Sequence, residues 1–368
     1  MNIAICIIAY NRTESLKRVL LSLERAYYNE NVTLIISVDK SNTNTVENLA
    51  KQYKWKYGNK IVITHAVNLG LRKHVLQCGD LLDGYDALIV LEDDISVAPS
   101  FYYYAKQCIE KYSEYDDIAG ISLYNFPLNY QNQLPFMPLH SDSDVYMMQC
   151  AQSWGQVWMK KQWFAFRKWY NNNSEEFGEL PHLPKAICNW PKSSWLKYHT
   201  RYCIENKKYF IYPYVSLSTN NSDAGTHVGK TNTLFQAQML YGLKKNYNLN
   251  PTIKYDGFFE NENIYKEFDL EECDVCVDFY GEKKNGLKHR YWLTRNPQNN
   301  TILRSYSLSY KPYELNVIHN LRGHDLFLCD TNFKKIKSTR INNSSFLKYL
   351  FLIPNWRTMI KRFILNIY

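Results

Sequence analysis

A chain of 368 residues with 45% apolar content can bury a real core, either as one large domain or as a domain of about 230 residues with an appendage. The formal net charge of +9 is unevenly placed: eight basic residues and no acid stand between Lys334 and Tyr368, so the rest of the chain is nearly neutral. That distribution argues against a nucleic-acid-binding body and for a basic tail, and no run approaches the roughly 18 apolar residues of a membrane-spanning helix. Met1-Asn2 leads into the apolar run Ile3–Ala9 without a basic n-region, which predicts a first buried strand rather than a secretory signal. Nine scattered cysteines, most inside apolar segments, predict reduced thiols in a cytoplasmic setting and no disulfides. Cys273 and Cys276 form the one CxxC, with no second pair at zinc-ligand spacing, and read as structural.

In chain order, Ile3–Ala9 predicts a strand, and Leu16, Val19, Leu20 and Leu23 follow at helical spacing, with Thr13 as N-cap and Glu14 in the first turn. Val32–Val38 is a second strand ending at Asp39, Val46–Tyr53 a helix, and Ile61–Thr64 a third strand. Asn68-Leu69-Gly70-Leu71-Arg72-Lys73-His74 opens a helix to about Leu82. Ala87–Leu91 is an unbroken apolar run, as in a strand buried on both faces, and it ends in three acids, Glu92, Asp93 and Asp94. Strands alternating with helices, with Arg12, Asp39, Arg72, His74 and Asp94 at or just beyond strand ends, predict an open α/β sheet with a ligand along its carboxyl edge. Carboxylates at that edge suit Mg²⁺ or Mn²⁺, which complete their shells with phosphate oxygens and water. The competing reading of Glu92–Asp94 is a solvated turn.

Four segments then carry a resemblance: Ile7-Ile8-Ala9-Tyr10-Asn11-Arg12, Ser37-Val38-Asp39, Asn68-Leu69-Gly70 and Leu91-Glu92-Asp93-Asp94. Their order and intervals are similar to those of GT-A fold glycosyltransferases of the family 2 type. Val97-Ala98-Pro99-Ser100-Phe101 after the triplet also resembles the N-acetylglucosaminyltransferase I type. The likeness spans residues 1–245 and implies a Rossmann-like nucleotide-sugar-binding domain there. It implies that Arg12 and Asp39 hold the uridine base or ribose, that His74 lies near the uridine and phosphates, and that Asp93 faces the donor sugar or ribose. It further implies that Ala9, Tyr10, Asn68, Gly70, Arg72 and Glu92 complete the nucleotide-sugar site and that Asp94 ligates the Mn²⁺ or Mg²⁺ bridging a diphosphate. Read without the resemblance, His74 is a helix-surface histidine, Arg12 a solvated cap residue and Asp39 a turn acid.

Further on, Phe101–Tyr115 predicts a helix and Ile118–Ser122 a strand, and the proline-bearing stretch from Tyr124 to Asp144 is a candidate lid. Gln152–Trp158 looks like the Gly-Trp segment that lines donor sugar and acceptor, with Trp154 as a stacking face and Gly155 permitting close approach. Trp158 reads equally well as core. An inverting transfer needs a base opposite the leaving group, and the family presents an acid just before a Trp-rich helix. This chain has Pro191-Lys192-Ser193-Ser194-Trp195 there, so either the base is one of Glu176, Glu179 and Asp223, or the activity is impaired, or the register of the resemblance is shifted by a few residues. After the strand Tyr209–Tyr212, an Asn-rich loop ends in Gly225-Thr226-His227, and the resemblance implies that His227 completes the metal or diphosphate site.

Residues 246–340 hold short β-like runs, Val275–Tyr280, Arg304–Ser309 and Leu326–Cys329, and predict an appended β-rich region. Residues 341–368 form a basic amphipathic segment divided at Pro354, suited to an anionic bilayer surface, the alternative being a final helix packed on the body. The resemblance implies a metal-dependent, inverting transferase that moves a sugar from a UDP-sugar to a glycan or lipid-linked acceptor in surface polysaccharide synthesis at the inner face of the plasma membrane, with the missing acid counting against inversion. The rival is a noncatalytic nucleotide-sugar-binding protein that kept the donor site. A sugar nucleotidyltransferase would carry a glycine-rich loop after the first strand, and Tyr10-Asn11-Arg12-Thr13 has no glycine.

Overall fold

The computed structural model describes residues 1–223, 233–284, 288–335 and 343–350, with Ile360 and Ile364. Its two compact units are residues 1–131 with 140–259, and residues 132–139 with 260–368.

The first unit is α/β. Its strands are β1 (Ile3–Ala9), β2 (Thr33–Val38), β3 (Lys60–Thr64), β4 (Ala87–Glu92), β5 (Ile95–Val97), β6 (Ile118–Ser122), β7 (Val145–Met148), β8 (Gln156–Met159), β9 (Tyr209–Pro213), β10 (Ser218–Asn220) and β11 (Lys254–Tyr255). Nine of them make one sheet in the order β11-β7-β9-β6-β8-β4-β1-β2-β3, and β5 pairs with β10 as a separate antiparallel ribbon. All seven residues of β1 are buried, because helices cover both faces of the parallel part, which is why its sequence is a continuous apolar run. The helices are α1 (Thr13–Glu24), α2 (Thr45–Gln52), α3 (Leu71–Asp80), α4 (Phe101–Tyr112), α5 (Lys160–Asn173), α6 (Lys185–Asn189) and α7 (Trp195–Glu205). Leu16, Val19, Leu20 and Leu23 form the buried stripe of α1. Thr13 is the first helical residue rather than the cap: Arg12 takes the N-cap position, with no side-chain hydrogen bond there.

Two lysines act as internal clamps. Lys60 Nζ donates to the carbonyls of Ala50 (2.9 Å) and Lys51 (2.8 Å), closing the C-terminal turn of α2. Lys197, buried on α7, donates to the carbonyls of Phe177 (3.1 Å), Cys188 (2.8 Å) and Trp190 (3.1 Å), and so fastens the loop that precedes α7. Trp158 lies in the core, stacked on Trp163 at 4.2 Å.

The second unit is β-rich. Strands β12 (Val275–Asp278), β13 (Tyr291–Thr294), β14 (Asn300–Tyr306) and β15 (Leu326–Lys334) form a four-stranded sheet in the order β12-β13-β15-β14. Helices α8 (Tyr313–Ile318) and α9 (Asn343–Leu350) complete it. Phe346, Tyr349 and Leu350 are buried, with Tyr349 against Tyr313 at 5.1 Å, so this start of the amphipathic segment is packed on protein. Most of the remaining tail lies outside the described residues. Residues 132–139 of the expected lid belong to this second unit. Among the described residues no helix is long and apolar enough to cross a membrane.

Candidate functional site

Three parallel strands end together at one edge of the large sheet: Ile8 lies opposite Glu92, and Ala9 opposite Val38. The residues that follow, Tyr10–Arg12, Asp39 and Asp93–Asp94, are therefore neighbours in space. β8 runs antiparallel to β4 with Gln156 opposite Val90, so Trp154 and Gly155 enter at the same edge. The result is a cavity of about 490 Å³, the size of a small-molecule site. It is lined by Ala9, Tyr10, Arg12, Asp39, Asn68, Gly70, His74, Glu92, Asp93, Asp94, Trp154 and Asp223 among the residues expected from sequence, and also by Ile8, Asn11, Leu71 and Ser193.

Asp39 is fully engaged. Its Oδ1 accepts from the amides of Lys40 (2.8 Å) and Leu69 (2.9 Å), and its Oδ2 accepts from the amide of Gly70 (3.0 Å). The acid after β2 thus ties down the Asn-Leu-Gly turn that starts α3. Gly70 has φ +75° and ψ 156°, a conformation open essentially to glycine alone. Helix α3 begins at the cavity wall with no side-chain cap and no acid in its first turn, which carries Arg72 and Lys73 instead. A helix N-terminus of that kind favours an anion. Arg72 lies outside the lining, its guanidinium 5.1 Å from the Tyr198 ring, with Nη1 buried and lacking a hydrogen-bond partner. His74 is buried, with Nε2 2.8 Å from Ser37 Oγ.

The acid triplet meets Arg12. Its Nη2 pairs with Asp93 Oδ1 and its Nη1 donates to Asp94 Oδ2 at 3.0 Å, while Asp93 Oδ2 accepts from the Tyr10 amide at 3.4 Å. Arg12, expected at the uridine, is held here by the two acids. Burial raises Asp93 to about 6, against the pull of Arg12 and with a push from Asp94. Glu92 is pushed up to about 8, by burial first and then by Asp94 and Asp93, with Arg12 and Trp195 working the other way. Among the described residues, Asp94 Oδ1 is buried without a hydrogen-bond partner. Such an oxygen beside a second carboxylate fits a hard divalent cation. Among the described residues no three His, Cys, Asp or Glu side chains are grouped to hold a metal, so a cation here would take most of its shell from a diphosphate and water.

The remaining wall comes from farther along the chain. Gln152 Oε1 accepts from the amides of Ser153 (2.8 Å) and Trp154 (2.9 Å), and Ser218 Oγ donates to the Trp154 carbonyl at 2.5 Å. Trp154 packs on Tyr124 at 4.9 Å and Phe235 at 5.5 Å. Gly155 is outside the lining; its φ of +96° and the 2.7 Å from an added Cβ to Ser218 Oγ require glycine. The Asn221 amide donates to the Asp94 carbonyl at 2.8 Å, which carries the loop after β10 to the cavity. Asp223 then lies with its Oδ2 accepting from Ser15 Oγ at 2.7 Å and paired with Arg18. Ser193 stands in the lining, and Ser194 caps α7 by accepting from the Lys197 amide at 3.3 Å. Glu176 and Glu179 are exposed and outside the cavity, Glu179 being 3.4 Å from Lys185. His227 lies outside the described residues.

Residues 4–154 match the family model "Glycosyl transferase family 2". Among solved structures, Staphylococcus aureus TarS 1–349 in complex with UDP is similar at 13% identity and TM-score 0.35, over 58% of this chain and 60% of that one. The mannosyltransferase PcManGT of Pyrobaculum calidifontis, with GDP-Man and Mn²⁺, is similar at 10% identity and TM-score 0.34, over 58% and 57%. GalNAc-T7 with UDP, GalNAc and Mn²⁺ is similar at 12% identity and TM-score 0.35, over 57% and 42%. The chain thus spans less than two thirds of the length of these structures. No curated protein sequence matches it.

Proposed function

We propose that this chain, whose residues 4–154 match the glycosyl transferase family 2 model, is a GT-A type transferase that moves a sugar from a nucleotide-sugar, of the UDP class, to a hydroxyl of a glycan or lipid-linked acceptor. The observation that carries this reading is the cavity at the strand ends, where the uncapped start of α3 and the unpartnered Asp94 Oδ1 line or adjoin one space. The helix start favours the diphosphate, and Arg72 and Lys73, set against the helix dipole, add positive charge that an anion would offset. Asp94 would hold Mn²⁺ or Mg²⁺, and the bound cation would stabilise charge developing on the leaving diphosphate. Arg12 would have to leave Asp94, or share it, when the cation enters. Trp154 offers a face to the donor or acceptor sugar. Of the three candidate bases, Asp223 is the one that lines the cavity, and its Oδ1 is the atom proposed to take the acceptor proton, giving inversion. A surface polysaccharide product and a peripheral site at an anionic membrane, held by the basic tail, extend the same reading.

A second reading has its own support. Ser193 lines the cavity where the resemblance implies an acid, and Oδ2 of Asp223 is already engaged by Arg18 and Ser15. Both fit a donor-binding protein without turnover. Incubation with a panel of UDP-sugars and Mn²⁺, reading UDP release with and without oligosaccharide acceptors, tests the two. Release that needs Mn²⁺ supports the transferase; tight UDP-sugar binding with no release under any condition supports the noncatalytic reading.

A further inference from the structure

The β-rich unit contains a second basin that the proposed transfer does not use. Backbone hydrogen bonds from Ser307 N to Leu321 O (2.7 Å) and from Asp325 N to Tyr306 O (2.9 Å) hold the turn before β15 against the end of β14. The approach is close: a Cβ on Gly323 would lie 2.5 Å from Ser307 Cα. This docking brings Arg322 and His324 beside Arg304 of β14, around a basin of about 760 Å³ to which Ser305 and Asn320 add polar side chains.

The basin gathers positive charge, and Arg304 has the neutral Tyr306 hydroxyl as a side-chain partner. No carboxylate is among its lining residues, and Arg304, Arg322 and His324 have no ion pair among the described residues. Asp325, the adjacent acid, uses Oδ2 to accept from the Leu308 amide at 3.2 Å. Arg304 lies 5.8 Å from the Phe268 ring, an aromatic rest that limits the conformations of its guanidinium. Two arginines that line one basin add their positive potentials there, which an anion would offset, and their planar forks match the oxygens of a phosphate group. Leu303 is the single large apolar residue in the lining, so the basin offers nothing to an acyl chain, and its volume exceeds what a bare phosphate ion fills.

We propose that this basin binds a phosphate ester on a polar carrier, a polyol or sugar phosphate, with Arg304 and Arg322 gripping the phosphate and Ser305 and Asn320 meeting carrier hydroxyls. The lining residues of the basin all belong to the second unit, and the proposal does not depend on how the cavity of the first unit is read.

The test is titration of the full-length chain with glycerol phosphate, followed by calorimetry. It uses wild type, the double variant Arg304→Gln/Arg322→Gln, and Asp94→Ala, with thermal unfolding of each to confirm folding. Saturable binding to wild type, weakened at least tenfold in the folded double variant and kept in Asp94→Ala, is the expected result. Absence of wild-type binding, equal affinity in the double variant, or loss in Asp94→Ala would overturn it, the last because the ligand would then be in the donor cavity. Inorganic phosphate binding as tightly as the ester would overturn the role of the carrier. Arginine-dependent binding of phosphatidylglycerol vesicles, with none of glycerol phosphate, would replace it with a lipid surface.

Discussion

The two walls of the cavity at the strand ends are built differently. One wall comes from β1, β2, β4 and the start of α3, all within the first 94 residues, and its groups are set by strand ends in register and by backbone amides on Asp39. The other comes from Trp154, Ser193 and Asp223, on connecting segments fixed by side-chain bonds such as Gln152 to the Trp154 amide and Arg18 to Asp223. Rigid strand ends can hold a nucleotide without the second wall. The second wall, by contrast, carries Ser193 where the resemblance implies an acid, so the proposed transfer turns on Asp223.

If that division is right, Asp223→Asn separates the walls most widely. Transfer should fall by about 10²–10⁴, the usual worth of a general base, while UDP affinity by calorimetry stays within about twofold. An equal loss of both would show that the walls are not independent. Asp39→Ala attacks the first wall: three amides lose their acceptor, and urea unfolding should show a loss of about 2–3 kcal/mol, the range for hydrogen bonds to a charged group, together with weaker UDP binding. Unchanged stability would mean that the turn before α3 holds itself.

His199 probes the scaffold of the second wall. It sits on α7, stacked on Phe166 at 4.1 Å, with both ring nitrogens buried and unpartnered, and burial lowers it to about 3. Between pH 6.5 and 3 the unfolded chain binds a proton that the folded one refuses, so stability falls as pH falls through that window. His199→Phe removes the proton and keeps the ring. At pH 5 the variant should gain about 2 kcal/mol from this linkage alone, and its advantage should shrink toward pH 7.5. A gain that does not change with pH would place the effect in packing. The smallest effect is expected at Arg12. Freed from the guanidinium, Asp93 and Asp94 in Arg12→Gln should bind Mn²⁺ a few times more tightly by electron paramagnetic resonance; weaker binding would mean that Arg12 supports the cation rather than competing with it.

How much the sequence revealed follows the same division. Unbroken apolar runs such as Ile3–Ala9 and Ala87–Leu91 declare buried parallel strands, and the acids after them can then only lie at the sheet edge. On the other wall, local pattern says little. Gln152–Trp158 reads as one segment, yet β8 begins at Gln156, which sends Trp158 into the core and leaves Trp154 at the cavity. Asp223 owes its place to Arg18, far away in sequence, and Glu176 and Glu179 looked equivalent to it until tertiary contacts put them outside. β13, Tyr291–Thr294, stands between the turn signals Asn285-Gly286 and Asn296-Pro297, but four residues are too few for a period-2 pattern to mark it as a strand. At the donor cavity, the hydrogen bonds that occupy Asp39 join residues thirty positions apart and have no sequence signature.

The proposed transfer requires that the cavity bind a nucleoside diphosphate through a cation on Asp94. Calorimetric titration of UDP into wild type and Asp94→Ala, each with and without Mn²⁺, tests it most directly. The account predicts binding to wild type that Mn²⁺ strengthens and that Asp94→Ala abolishes; UDP binding that ignores both Mn²⁺ and the substitution would contradict it.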